Sequence, residues 1–134
     1  MPLLSSYLMV ADDDADDRLL FGAEFELLNP DISVKYAGSG SELLDYLAHC
    51  PTAGLPAVIL LDYKMHDVSG PEVLQILMAD RRYAEIVVVV WSTSQRAEDM
   101  EKCKRLGAVE YLVKPGTNDD LDQIVRRLAT FFSE

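Results

Sequence analysis

The chain has 134 residues, of which 49% are hydrophobic and 26% charged, and this suits one globular domain with a single core. Lys and Arg number 12 against 23 Asp and Glu, and the net charge of −11 argues against nucleic acid, whose phosphates require clustered basic side chains. The sequence lacks the run of about 18 apolar residues that a membrane span requires. Met1–Ser6 has no signal-peptide pattern, so we expect a cytoplasmic protein.

Short apolar runs alternate with longer amphipathic segments along the chain, a rhythm typical of repeated βα units and a parallel sheet. The strands are predicted at Tyr7–Ala11, Ile32–Ala37, Ala57–Leu61, Ile86–Trp91 and Glu110–Val113. The β-branched run in the fourth is typical of a strand that is buried on both faces. The sequence therefore predicts an α/β fold of the (βα)₅ type.

The helices are predicted at 16–28 and 41–48, from Gly70, at 95–106, and from Thr117. Inward-facing apolar stripes are predicted in the first, third and fifth helices, in this order: Leu20, Ala23, Leu27 and Leu28; Val73, Leu74, Leu77 and Met78; Leu121, Ile124, Val125, Leu128 and Phe131. The fourth helix is mostly charged, so we expect it to contribute least to the core. Gly107 is predicted to end that helix, and Thr117 to cap the start of the last one.

Chemically capable side chains follow four of the predicted strands: Asp12–Asp14 after the first, Asp62 after the third, Ser92–Ser94 after the fourth and Lys114 after the fifth. The carboxyl ends of parallel strands meet at one edge of a sheet, where open α/β sheets place their ligands. Several acids in one cleft repel each other unless a divalent cation binds, and Mg²⁺ prefers oxygen ligands. The pattern therefore predicts Mg²⁺-assisted phosphoryl transfer to a carboxylate.

In combination, these motifs resemble the receiver domain of bacterial two-component response regulators, and most of all its stand-alone, chemotaxis-type class. The acidic cluster, Asp62 followed by Met and then Gly, the hydroxyl residue and the Lys-Pro pair all match. Ser92 and Lys114 also lie 30 and 52 residues after Asp62, as in the family. The resemblance covers about residues 7–132. It implies a doubly wound, flavodoxin-like parallel sheet with strand order 2-1-3-4-5, and a single receiver domain over 1–134 without an output domain.

The resemblance implies a role for each of the acids. Asp62 would be the phosphoacceptor, which attacks a phosphohistidine and forms an acyl phosphate. Asp13 and Asp62 would bind Mg²⁺ directly, Asp12 would act mainly through bound water, and the backbone carbonyl of Lys64 would complete the protein ligands. The acids Asp14, Asp16 and Asp17 are interpreted instead as solvated charges on the first turn of the first helix.

The resemblance also implies a set of residues that sense the phosphoryl group. Lys114 would pair with Asp62 before phosphorylation and with the phosphoryl oxygens afterwards, and the Lys114–Pro115 peptide is expected to be cis. Ser92, with Thr93 beside it, would donate a hydrogen bond to the phosphoryl group. Tyr111 lies where the family has its aromatic switch residue, and would turn from exposed to buried on phosphorylation.

Three positions are expected to tune the switch. His66 stands where the family usually has Pro, and is expected to change the loop stiffness, to add pH sensitivity, or to do neither. Lys64 and Ser94 occupy positions that the family uses to tune dephosphorylation. A cationic Lys64 beside the phosphoryl group would shield or orient the attacking water.

The implied partners are a sensor histidine kinase or histidine phosphotransfer protein and a downstream protein target, with the chain as a monomer or a phosphorylation-dependent homodimer through the last helices. Beyond autocatalytic phosphoryl acceptance and loss, no enzyme activity is expected. Two other classes of protein share part of this pattern. A haloacid dehalogenase-type phosphatase would use the Asp12-x-Asp14 pair, but the chain has no room for a cap domain. A flavodoxin-like FMN module would need a phosphate-binding loop after the first strand, where the sequence is acidic.

Overall fold

A computed structural model describes residues 5–132, which form a five-stranded sheet flanked by five helices. The strands are β1 (Ser5–Ala11), β2 (Ser33–Ala37), β3 (Pro56–Asp62), β4 (Val87–Ser92) and β5 (Glu110–Val113). The helices are α1 (Ala15–Leu28), α2 (Gly40–His49), α3 (Gly70–Met78), α4 (Ala97–Arg105) and α5 (Asn118–Ala129). All neighbouring strands are parallel, in the order β2-β1-β3-β4-β5, so the predicted fold class and strand order are confirmed.

Each face of the sheet buries its own apolar cluster, because successive side chains of a strand point to opposite faces. On one face, α2, α3 and α4 cover Met9, Ile59, Leu61, Val88 and Val90. On the other face, α1 and α5 cover Leu8, Val10, Val58, Leu60 and Val89. The three inner strands are therefore buried on both sides, which was predicted for β4 from its β-branched run.

The apolar stripe predicted for α1 is wrong. Leu20 and Leu27 are 61% and 73% exposed, whereas Phe21 and Phe25 are fully buried. The two phenylalanine rings stack at 5.8 Å between centroids, and Phe21 also packs edge-on against Trp91 at 5.4 Å. The larger aromatic rings fill the space between α1 and the sheet, and this turns the leucines toward solvent.

The stripes of α3 and α5 agree better with the prediction. Val73, Leu74 and Leu77 are buried, but Met78 is 44% exposed, with its side chain packed against Gly107 after α4. Gly107 has φ of 115°, the left-handed conformation that ends a helix at low cost, so its predicted role is confirmed. In α5 the predicted stripe is buried from Leu121 to Leu128, and Phe131 packs beside it.

Candidate functional site

The carboxyl edge of the sheet brings together the polar side chains that follow the strands. Asp12 comes directly after β1, while Asp62 and Ser92 are the last residues of β3 and β4. Lys114 comes directly after β5, and its amide donates a hydrogen bond of 2.8 Å to the carbonyl of Ser92. Parallel pairing in register therefore places residues far apart in sequence at one site.

Three carboxylates form the centre of this site. Asp12, Asp13 and Asp62 each offer an oxygen within 4.8 Å of the others. Asp12 and Asp62 are buried, and Asp13 is half-buried. Backbone amides support two of them: Asp14 donates to Asp12 Oδ1 at 2.9 Å, and Lys64 donates to Asp62 Oδ1 at 3.3 Å.

Burial and the crowding of negative charge raise the pKa of Asp62, the central carboxylate. Burial is the main cause and the charge of Asp12 adds to it, so that together they raise the pKa of Asp62 from 3.8 to about 7. The Lys114 ammonium opposes this effect without cancelling it. Ionised Asp62 is therefore costly unless a further cation shares the cleft.

The donor set suits a hard divalent cation. All three side chains offer carboxylate oxygen, which Mg²⁺ prefers to nitrogen or sulfur. Asp12 Oδ2 has no well-aligned hydrogen bond from any residue within 5–132, although the Lys114 ammonium lies 2.9 Å away. A buried oxygen with unused lone pairs is a ready ligand for a metal or for a water bound to it.

Lys114 contacts three carboxylates rather than Asp62 alone. Its ammonium lies 2.9 Å from Asp12 Oδ2, 2.9 Å from Asp17 Oδ2 and 3.4 Å from Asp62 Oδ1. Burial opposes its charge, but the hydrogen bonds and charges of these carboxylates raise the pKa of Lys114. The side chain also lies over the ring of Trp91, with 5.1 Å between the nitrogen and the ring centroid.

Two expectations about these residues are wrong. Asp17 is not merely a solvated charge, because its carboxylate accepts a hydrogen bond from the Lys114 ammonium across the site. The Lys114–Pro115 peptide is trans, as no peptide bond within residues 5–132 is cis. Trans is the intrinsically favoured form of this bond, and the ammonium reaches all three carboxylates from it.

Three of the residues expected to form the switch, Ser92, Ser94 and Tyr111, are joined by hydrogen bonds. The Ser94 amide donates to Ser92 Oγ at 3.0 Å, and the Tyr111 hydroxyl donates to the carbonyl of Ser94 at 2.9 Å. Tyr111 is buried, which is the position expected for it after phosphorylation. Thr93, between the two serines, is exposed.

Asp99 of α4 closes this network, and sequence reasoning missed it. One of its oxygens accepts from the Ser94 hydroxyl at 2.6 Å, and the other accepts from the Tyr63 hydroxyl at 3.1 Å. The hydrogen bond from Ser94 is the main cause that lowers the pKa of Asp99. Tyr63 follows Asp62 directly, so α4 is tied to the loops after both β3 and β4.

His66, which stands in the β3–α3 loop, contacts the half-buried acid of the cluster. Its Nδ1 lies 3.0 Å and its amide nitrogen 3.3 Å from Asp13 Oδ2. The side-chain hydrogen bond is the main cause that raises the pKa of His66 and lowers that of Asp13. Lys64, two residues earlier, is exposed beside the site.

Comparisons with known proteins all identify the same family. The family model described as the response regulator receiver domain matches residues 8–126. The chain is 32% identical over 127 residues to the probable methanogenesis regulatory protein FilR2 of Methanothrix harundinacea, covering 93% of this chain and 81% of that protein. It is also 32% identical over 121 residues to the response regulator Rre1 of Synechocystis sp., covering 90% of this chain but only 50% of that protein.

Solved structures agree with this result. The phosphorylated cyanobacterial phytochrome response regulator RcpA matches with a TM-score of 0.85 and 27% identity, covering 96% of this chain and 94% of that chain. The response regulator RPA3017 of R. palustris, from red light signalling, matches with a TM-score of 0.82 and 28% identity, covering 93% and 92%. Within residues 5–132, no helix combines the length and apolar character needed to cross a bilayer.

Proposed function

Because the chain belongs to the response regulator receiver domain family, we propose that it is a cytoplasmic phospho-accepting switch. In this proposal Asp62 receives a phosphoryl group from a histidine kinase or a histidine phosphotransfer protein. The observation that carries it is the buried Asp62 carboxylate, within 4.8 Å of oxygens of Asp12 and Asp13 and 3.4 Å from the Lys114 ammonium.

The transfer makes one bond and breaks one. An Asp62 oxygen bonds to phosphorus, and the P–N bond of the donor phosphohistidine breaks, its electron pair staying with the imidazole nitrogen. Asp12, Asp13, Asp62 and the Lys64 carbonyl would hold Mg²⁺, and the bound ion would supply positive charge that offsets the charge of the carboxylates and the phosphoryl oxygens. Lys114 and the Ser92 hydroxyl would then bind phosphoryl oxygens as donors.

The hydrogen-bonded chain from Ser92 suggests how the state of Asp62 reaches a partner. A hydroxyl drawn toward a phosphoryl group would move the Ser94 amide that donates to it, and with it the carbonyl that Tyr111 binds. Asp99 would carry the same movement into α4. The surface formed by α4, β5 and α5 is therefore the proposed output face.

The exposed leucines of α1 support a docking site for the phosphodonor protein. Leu19, Leu20 and Leu27 are all more than half exposed on a helix that starts directly after the acidic cluster. Leu20 also lines a cavity together with Lys114 and Pro115. A protein seated on this apolar face would bring its phosphohistidine to Asp62. Dimerisation through the last helices stays a prediction.

The test is phosphorylation by a small donor. We expect that incubation with Mg²⁺ and acetyl phosphate adds one phosphoryl group by intact mass, and that EDTA or Asp62→Asn abolishes the gain. Asp16→Asn serves as a control, since this exposed acid lies outside the cluster. An undiminished gain in Asp62→Asn would contradict the proposal, as would no gain from either acetyl phosphate or a phosphorylated histidine kinase.

A further inference from the structure

The Lys114 ammonium, which is proposed to bind the phosphoryl group, also binds Asp17, a carboxylate outside the acidic cluster. Its ammonium is 2.9 Å from Asp17 Oδ2, with the alignment of a true hydrogen bond, but 3.4 Å from Asp62 Oδ1. Of the three carboxylates that it contacts, Asp62 is the farthest. The ammonium is therefore drawn toward α1 and away from the phosphoacceptor.

Asp17 lies where it can hold the Lys114 ammonium, and within residues 5–132 its side chain has no second hydrogen-bonding role. It stands on the first turn of α1, but Asp14, not Asp17, caps that helix through its own carboxylate. Its side chain is 33% exposed against 12% for that of Lys114, so the pair runs from the buried site to the surface. The Asp17 carboxylate is also not among the oxygens that could share a metal ion.

We propose that Asp17 is a positioning residue that holds the Lys114 ammonium back from Asp62 and thereby lowers the affinity of the site for a phosphoryl group. This inference rests on the proposed function. A bound phosphoryl group needs the ammonium at its own oxygens, and Asp17 competes for the same hydrogen atoms. The negative charge of Asp17 also opposes any anion bound close to Lys114.

The perturbation is Asp17→Asn, which removes the charge and keeps the size of the side chain. The probe is beryllofluoride, an anion that coordinates carboxylate oxygen as a phosphoryl group does, titrated with saturating Mg²⁺ and followed by ¹⁹F NMR. We expect about a three- to tenfold gain in affinity for Asp17→Asn, the range for one partly exposed ionic contact. Asp17→Glu keeps the charge, so its affinity for beryllofluoride should lie within about twofold of wild type. The affinity of Asp16→Asn should lie within the same range.

A second measurement, the fluorescence of Trp91, reports the position of the Lys114 ammonium. Trp91 is the one tryptophan of the chain, and the Lys114 nitrogen lies 5.1 Å from its ring centroid. We expect its emission to change in Asp17→Asn without any ligand, and to remain at the wild-type value in Asp16→Asn. A purely structural role for Asp17 on α1 would lower stability without moving the lysine.

The two possible failures are distinguishable. Absence of beryllofluoride binding by the wild-type chain would overturn the proposed function. Binding by wild type, with equal or weaker binding by Asp17→Asn and unchanged Trp91 emission, would overturn the role of Asp17 alone.

Discussion

Replacing Asp62 with Asn should stabilise the metal-free fold at neutral and higher pH, and the gain should disappear as the pH falls. The folded pKa of Asp62 is raised from 3.8 to about 7, chiefly by burial and then by the charge of Asp12. For a group with a raised pKa, the contribution to stability is fully present below the unfolded value and is lost as the pH rises through the folded value. Asp62→Asn mimics the neutral form and escapes this loss.

The magnitude follows from the size of the shift. A difference of roughly three pKa units at 1.36 kcal/mol each gives about 4 kcal/mol as a ceiling. The amide keeps its own cost of burial and loses its attraction to Lys114, so we expect a gain of about 1–3 kcal/mol above pH 7.5. The gain should shrink by about 1.4 kcal/mol per pH unit below pH 7 and reach zero between about pH 5 and pH 6.5, below which the cost of the buried amide leaves wild type the more stable.

Urea unfolding in EDTA between pH 5 and pH 8, followed by the fluorescence of buried Trp91, measures this difference. Asp16→Asn is the control and should run parallel to wild type. Saturating Mg²⁺ should narrow the gap, because the ion stabilises the wild-type cluster more than one that lacks a carboxylate. An equal advantage for Asp62→Asn at pH 5 and pH 8, or a loss of stability at pH 8, would refute the reasoning.

Three further predictions concern transfer, relay and decay. Leu20→Asp should slow phosphorylation by a histidine kinase at least about fivefold while the acetyl phosphate rate is unchanged, whereas Ile76→Asp on α3 should change neither rate in the same radiolabel assay. Asp99→Asn should alter the amide chemical shifts of Tyr63 and of the loop around Ser94, whereas Glu101→Gln, at an exposed position of α4, should leave both unchanged; unchanged shifts at both places in Asp99→Asn would remove Asp99 from the relay. Lys64→Ala should change the half-life of phospho-Asp62 severalfold in a phosphate-release assay, and an unchanged decay rate would show that Lys64 does not tune it.

The sheet could be predicted from the sequence because its signals are local. Each inner strand is a short apolar run that ends at a polar residue, and parallel pairing then brings those residues to one edge. The convergence of Asp12, Asp62, Ser92 and Lys114 follows from that topology alone. The chemical roles proposed for these residues depend on the family resemblance and not on the topology.

The orientation of α1 could not be predicted because this helix has apolar residues on several faces. Leu20 and Leu27 satisfy a helical period as well as Phe21 and Phe25 do. The choice was made by volume, since only the phenylalanine rings fill the gap above Trp91.

Contacts between residues far apart in the sequence could not be predicted either. Lys114 binds Asp17 over 97 positions, and Tyr63 binds Asp99 over 36. Neither pair has a sequence pattern that distinguishes it from an ordinary surface charge or tyrosine. The cis Lys114–Pro115 bond that the family resemblance implies is trans in this chain, which is the form that a Lys-Pro sequence favours by itself.

The most direct test of the account is to identify the residue that carries the phosphoryl group. After reaction with acetyl phosphate and Mg²⁺, borohydride reduces an aspartyl phosphate to homoserine, and peptide mass spectrometry then locates the converted position. The account predicts conversion at Asp62 alone, and none when EDTA is present during phosphorylation. Conversion at Asp12, Asp13 or any other acid in place of Asp62 would contradict it.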